Sequence, residues 1–153
     1  MIEELIKILE EEYNHFLELV DILKEKRDSI EKNDVERLKK ILEKERDKLH
    51  ILDDLEHERL NLSLKITKDL KIEPTISAII SVINEPLRHD LAIVVAKMTN
   101  VINEVSLINL GIQRMITYRL EEFDLIMNLF KSQDKTYDKT SHIPSGIIFN
   151  GNA

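Results

Sequence analysis

The chain has 153 residues and no Cys or Trp, and 33% of its residues are charged, for a net charge of −7. Without cysteine there is no disulfide, thiolate metal site or thiol nucleophile. Without a clustered basic stripe there is no footprint for nucleic acid.

The charge is uneven. Residues 1–73 hold 21 acidic and 15 basic side chains, and residues 74–153 hold 8 and 7. No uninterrupted apolar run reaches the roughly 20 residues of a membrane span, so no membrane insertion is expected. The acidic start, Met1-Ile2-Glu3-Glu4, lacks the basic segment of a signal peptide, and a cytoplasmic location is expected. Few Gly and Pro among abundant Leu, Ile, Glu and Lys is the composition of long helices.

The first predicted helix runs from about Ile2 to Glu31. Its stripe is Ile2, Leu5, Leu9, Tyr13, Phe16, Val20, Leu23 and Ile30, stepping mostly by three or four, and Ile6, Leu17 and Leu19 widen it. Lys32-Asn33-Asp34 breaks the pattern. Asn and Asp are favoured N-caps, because their short side chains accept an orphan backbone N–H. So short a connection implies antiparallel neighbours.

The second helix spans about Val35–Leu70, with Val35, Leu38, Leu42, Leu49, Leu52 and Ile66 on one seam and Ile41, Leu55 and Leu62 flanking it. Glu45, Glu56 and Arg59 interrupt the seam. Glu56 and Arg59 are three apart and can pair. Residues 71–85 read as a connector, in which Ile76–Ile83 forms either short helical turns or an extended apolar segment.

The third long helix is predicted from Pro86, a residue suited to the first helical position, to Phe130. Its main stripe is Leu87, Leu91, Val94, Met98, Val101, Val105, Ile108, Ile112, Met115, Arg119, Phe123, Ile126 and Phe130. Val95, Ile102, Leu107, Leu110, Ile116, Leu120, Met127 and Leu129 widen it well beyond the apolar arc of about 100° that one buried stripe needs. Two partner helices cannot enclose such a helix, so the excess points to binding of another protein. Gly111 weakens the helix interior and suggests a close approach or a bend. Residues 131–153 are polar, with Pro and Gly, and read as a flexible tail with apolar islands at Tyr137 and Ile147-Ile148-Phe149.

The expectation is an all-α fold: an elongated antiparallel three-helix bundle or coiled coil over residues 1–130, followed by the tail.

The sharpest enzymatic alternative is a carboxylate-bridged metal site, which needs Glu-x-x-His pairs and further inward carboxylates. Glu12/His15, Asp47/His50 and Asp54/His57, the last with Glu56 between them, lie on the first two helices. The third helix offers only Glu104 between Asp90 and Glu121. With no Gly-x-Ser-x-Gly elbow and no Gly-rich phosphate loop, neither enzyme activity nor any cofactor or metal is expected. Asn100 and Asn103 are three apart on an apolar helix and share a face. They either form a solvated or buried polar pair, or supply donors and acceptors to a partner.

Three segments carry a family resemblance: Glu45-x3-Leu49-x2-Leu52-x2-Leu55-Glu56-x2-Arg59; Asn100-x2-Asn103 followed by Leu107 and Leu110; and Thr136-Tyr137-Asp138-Lys139 after the last helix. In their order and spacing the chain resembles the FlgN-like flagellar export chaperones. The resemblance implies a small cytoplasmic protein of the type III flagellar export system. Such a protein binds the helical C-terminal regions of the hook-associated (hook–filament junction) proteins, prevents their premature assembly and delivers them to the export gate. It further implies that the third helix and the residues after it bind the client, and that Tyr137 meets the gate component. Where family tails often carry Gly four residues beyond this Tyr, the chain has Ser141.

The expected partner-binding residues are therefore Asn100, Asn103, Leu107, Leu110, Met115, Tyr118 and Tyr137. Met98, Met115 and Met127 are expected to let the surface adapt to two clients. The competing reading is a coiled-coil adaptor or homodimer without a client, its apolar excess forming an isologous interface.

Overall fold

The computed structural model describes residues 1–134. Among these, four helices occur in the order α1 (Ile2–Glu31), α2 (Val35–Leu70), α3 (Ile76–Val82) and α4 (Leu87–Asp134), with no strand. The chain divides into two compact units, Met1–Asn109 and Leu110–Ala153, and the division falls inside α4.

The first unit is built on a helical hairpin. α1 ends at Glu31 with Lys32 as its C-cap, Asn33 adopts a left-handed φ of 56°, and Asp34 caps α2 by accepting the backbone N–H of Arg37 at 3.1 Å. Both long helices begin and end where periodicity and capping place them. Their antiparallel register is marked by ion pairs between the helices. Arg37 Nη1 lies 2.6 Å from Asp28, and Lys26 Nζ 3.0 Å from Glu45. Lys48 donates to Glu18 and to His15 Nδ1.

The hairpin also encloses an ion pair. Glu12 is 2% exposed, and Arg59 Nε donates to both its carboxylate oxygens, at 2.9 and 3.1 Å. Burial pushes the Glu12 carboxyl above its ordinary range, against the lowering effect of Arg59. Arg59 Nη2 also lies 3.7 Å from Glu56. The i,i+3 pair expected from the sequence therefore forms, but the closer partner of Arg59 sits across the hairpin.

The connector is more ordered than a loop. Pro74 precedes Thr75, whose Oγ1 accepts the N–H of Ala78 at 3.1 Å and starts the two-turn α3. Of the two conformations open to Ile76–Ile83, the chain takes the helical one. α4 starts at Leu87, one residue after Pro86, with the Glu85 carboxylate accepting the His89 N–H at 3.1 Å. It runs to Asp134, beyond the expected end at Phe130.

Within the first unit, Lys97 of α4 sits 5.8 Å from the Tyr13 ring centroid and Lys24 of α1 3.7 Å from Glu104. α4 therefore runs in the direction of α1 and against α2. One core gathers all four helices: Leu5 and Leu9 of α1, Ile66 of α2, Ile79 of α3, and Leu91, Val94 and Met98 of α4 are buried together. Ile79 is fully buried, so α3 plugs the core at the end where the chain turns from α2 into α4.

One expectation about the α2 seam is corrected. Val35, Leu42 and Leu49 of the α2 seam are exposed, while Ile41, from the flank, is buried. A seam read on one helix does not say how far its partners wrap round it. α4 is long and apolar enough in composition to cross a membrane, although 28% of the qualifying window is buried in the protein. Lys97, Asn100, Asn103 and Glu104 interrupt every uninterrupted run but only dilute the average. Those same groups would be costly in hydrocarbon, and Leu91, Val94 and Met98 already pack into a protein core.

Candidate protein-binding surface

In the first unit α4 has a buried stripe, Leu91, Val94, Met98, Val101 and Ile108, at spacings of three, four, three and seven. Asn100, Asn103 and Leu107 occupy positions on the far side of that stripe. All three are exposed, Leu107 by 69%. The two asparagines are therefore on an outward face, available to a partner or to water, and do not form a buried pair. Met98 is buried, so this methionine fills the core and does not serve a client surface.

The second unit is described through residue 134. In it, Ile112 is the one buried residue among those described. Nine large apolar or aromatic side chains are exposed: Leu110, Ile116, Tyr118, Leu120, Phe123, Leu125, Ile126, Leu129 and Phe130. They are not confined to one stripe. Leu110 (41% exposed), Tyr118 (62%) and Leu125 (65%) share one face with Arg114 and Glu121. Ile126 and Phe130 continue the spacing of Ile112. Met115 and Met127 are half-buried. Leu110, Gln113, Arg114, Thr117, Tyr118 and Glu121 line a shallow depression along the helix.

Of the residues expected from the sequence, Leu110 and Tyr118 are exposed on a common face and Met115 lies off it, toward the Ile112 side. Tyr137, together with Ser141 and the apolar island at Ile147–Phe149, lies outside the described residues. Sequence reasoning omitted Leu125 and Tyr118's neighbour Glu121 from this face. The seven-residue step from Tyr118 to Leu125 was the available signal. Around Gly111 nothing among the described residues lies within 4 Å of where a Cβ would be, so none of them makes the close approach suggested for this glycine.

Among the described residues no group of three or more His, Cys, Asp or Glu is placed to hold a metal ion. Glu12 is held by Arg59, His15 meets Lys48, and His57 Nδ1 donates to the Asp53 carbonyl at 2.8 Å, which together with the nearby Asp53 carboxylate raises the imidazole pKa.

Exposed apolar surface on this scale along a helix suits the binding of another protein. Comparison with known families agrees: the family model described as FlgN protein matches residues 1–143. The chain belongs to the FlgN family, whose members act as flagellar export chaperones. No curated relative and no solved structure matches it.

Proposed function

We propose that this chain is a cytoplasmic chaperone for hook-associated proteins, binding their helical C-terminal regions through α4 and delivering them to the export gate. The observation that carries the reading is the nine exposed apolar side chains between Leu110 and Phe130. A subunit built to polymerise exposes amphipathic helices before assembly, and a second helix can cover such a stripe with anchors at i, i+3, i+4 and i+7. Leu110, Met115 and Tyr118 are the proposed anchors in the second unit. Asn100, Asn103 and Leu107 add an outward patch in the first, the asparagines supplying hydrogen bonds and Leu107 apolar contact. Tyr137 is proposed to meet the gate component. The chaperone binds and releases without bond chemistry, so it needs no cofactor.

The test is a titration of a purified hook-associated protein into the full chain, expected to give a dissociation constant of about 1 μM or tighter. Leu107→Glu with Leu110→Glu should abolish it, and unchanged binding would refute this placement. The same exposed surface also suits a second copy. Sedimentation as a permanent dimer that takes up no hook-associated protein would establish the structural reading instead. Tyr137→Ala should leave client affinity unchanged while lowering export.

A further inference from the structure

A second concave surface lies wholly in the first unit, between α2 and α4. Phe16, Leu49, Leu52, Met98 and Ile102 line an open trough of about 280 Å³, whose remaining walls are Glu12, Asp53, Glu56 and Arg59. Leu49 and Ile102 are 48% and 42% exposed, on opposite sides of it. Isolated exposed leucines are ordinary on a protein surface. These two face one concavity whose floor includes the buried Met98 and Leu52. From Leu49 to Arg59 the trough follows α2 for about 15 Å, the length of roughly three turns of a docked helix. It is too open to enclose a small molecule, which needs most of its surface covered.

The electrostatics select the occupant. Three carboxylates line the trough against one guanidinium. Arg59 Nε is committed to both oxygens of Glu12, at 2.9 and 3.1 Å, and the 3.7 Å separation of Arg59 Nη2 from Glu56 is too long for a hydrogen bond. Asp53 and Glu56 have side chains 60% and 55% exposed. The cation-forming group beside Asp53 is His57, at 3.7 Å. The three carboxylates outnumber Arg59 and the His57 imidazole, so the trough carries a net negative charge beside an apolar floor.

We infer that this trough docks an amphipathic helix of a partner protein, one that places a lysine or arginine beside its apolar stripe. Two successive apolar residues of that helix would pack on Leu49, Leu52 and Ile102, and its cation would lie between Asp53 and Glu56. An acidic helix of the same shape would meet like charge, which discriminates between partners. The inference is drawn from residues of the first unit and does not rest on the client surface proposed above.

The experiment uses the full chain, isotopically labelled at Leu and Ile methyls, and two synthetic helical peptides of about three heptads. Both carry Leu at a and d; one has Lys at the flanking e and g positions and the other Glu. The Lys peptide should shift the methyls of Leu49, Leu52 and Ile102 and bind about tenfold tighter than the Glu peptide at low salt, the gap closing at about 1 M salt. The double variant Asp53→Asn, Glu56→Gln, at exposed positions that leave the core intact, should make the two peptides bind alike. Equal affinity of the two peptides for the unmodified chain would overturn the inference, as would shifts confined to methyls in residues 110–132. Concentration-dependent shifts of the trough methyls in the peptide-free protein would also overturn it, by assigning the trough to a second copy.

Discussion

α4 is one helix with two lives. Over residues 87–109 its apolar residues sort into a buried stripe and an outward face, and Leu91, Val94, Met98, Val101 and Ile108 are buried. Over the described part of 110–134 the density of Leu, Ile, Met and Phe is no lower, yet only Ile112 is buried and nine large apolar side chains are exposed. The same residue types thus hold the fold in one region and remain available in the other. Apolar composition indicates that a surface must be covered somewhere; it does not say by whom. In the first region α1, α2 and α3 supply the cover. In the second, the proposed cover is an outside partner.

The comparison is sharpest in stability. Leu91→Ala removes a fully buried side chain and should cost about 2–5 kcal/mol, read by urea unfolding. Leu125→Ala, at 65% exposure, should change stability by less than about 0.5 kcal/mol. Equal costs would erase the distinction between the two halves.

Charge follows the same rule. Glu12→Ala strands Arg59 beside a cavity and should cost about 3 kcal/mol. Lys24→Ala breaks the exposed 3.7 Å pair with Glu104 and should cost under about 0.5 kcal/mol. Thermal unfolding of the two variants would check the ratio.

The pH dependence separates these carboxylates by sign. Burial raises the Glu12 pKa above its usual 4.5. The folded state therefore holds that proton more firmly than the unfolded one, and this group's contribution to stability falls as pH rises from about 4.5 through the raised value. Glu12→Gln, measured by denaturation across that window, should gain stability relative to the parent as pH rises. Hydrogen bonds from Arg37 and Lys32 lower Asp28, and those from Lys48 lower Glu18. Their contribution is present above the ordinary carboxylate pKa and disappears as pH falls through the depressed values. The penalty for Asp28→Asn should accordingly shrink on acidification. The opposite trend in either variant would show that the named neighbours do not control these groups.

A gain in stability is expected at Gly111, at the edge of the second region. Open space around it means Gly111→Ala should stabilise the helix, by up to about 1 kcal/mol, with a corresponding rise in Tm. A loss of stability would mean that this glycine serves a bend after all.

The parts of this architecture governed by local rules were legible in the sequence. The ends of α1 and α2 follow from periodicity and the Asp34 cap, and the apolar excess of α4 was visible in its composition. α3 was ambiguous because seven residues are too few to show a period, although Pro74 followed by a capping Thr75 marked its start. The last turn of α4 was missed because Lys131-Ser132-Gln133-Asp134 has no apolar residue to carry the pattern. The Glu12–Arg59 pair was invisible for a different reason. Its partners are 47 residues apart, and Arg59 had a nearer acid in Glu56 that satisfied the local rule. Glu12 does fall three residues after Leu9 and four before Phe16, a charged position inside an apolar stripe, and such a position calls for a cation on a facing helix. The division of α4 into a covered and an uncovered half depends on which helices lie beside it, and no single-helix pattern contains that.

Hydrogen exchange of the full chain, with and without a purified C-terminal helical segment of a hook–filament junction protein, tests the central claim most directly. The expected result is slowed exchange across residues 110–132 on addition of the segment, and little change in the already buried stretches of α1 and α2. Protection confined to residues 1–109, with 110–132 exchanging as in the free protein, would contradict it.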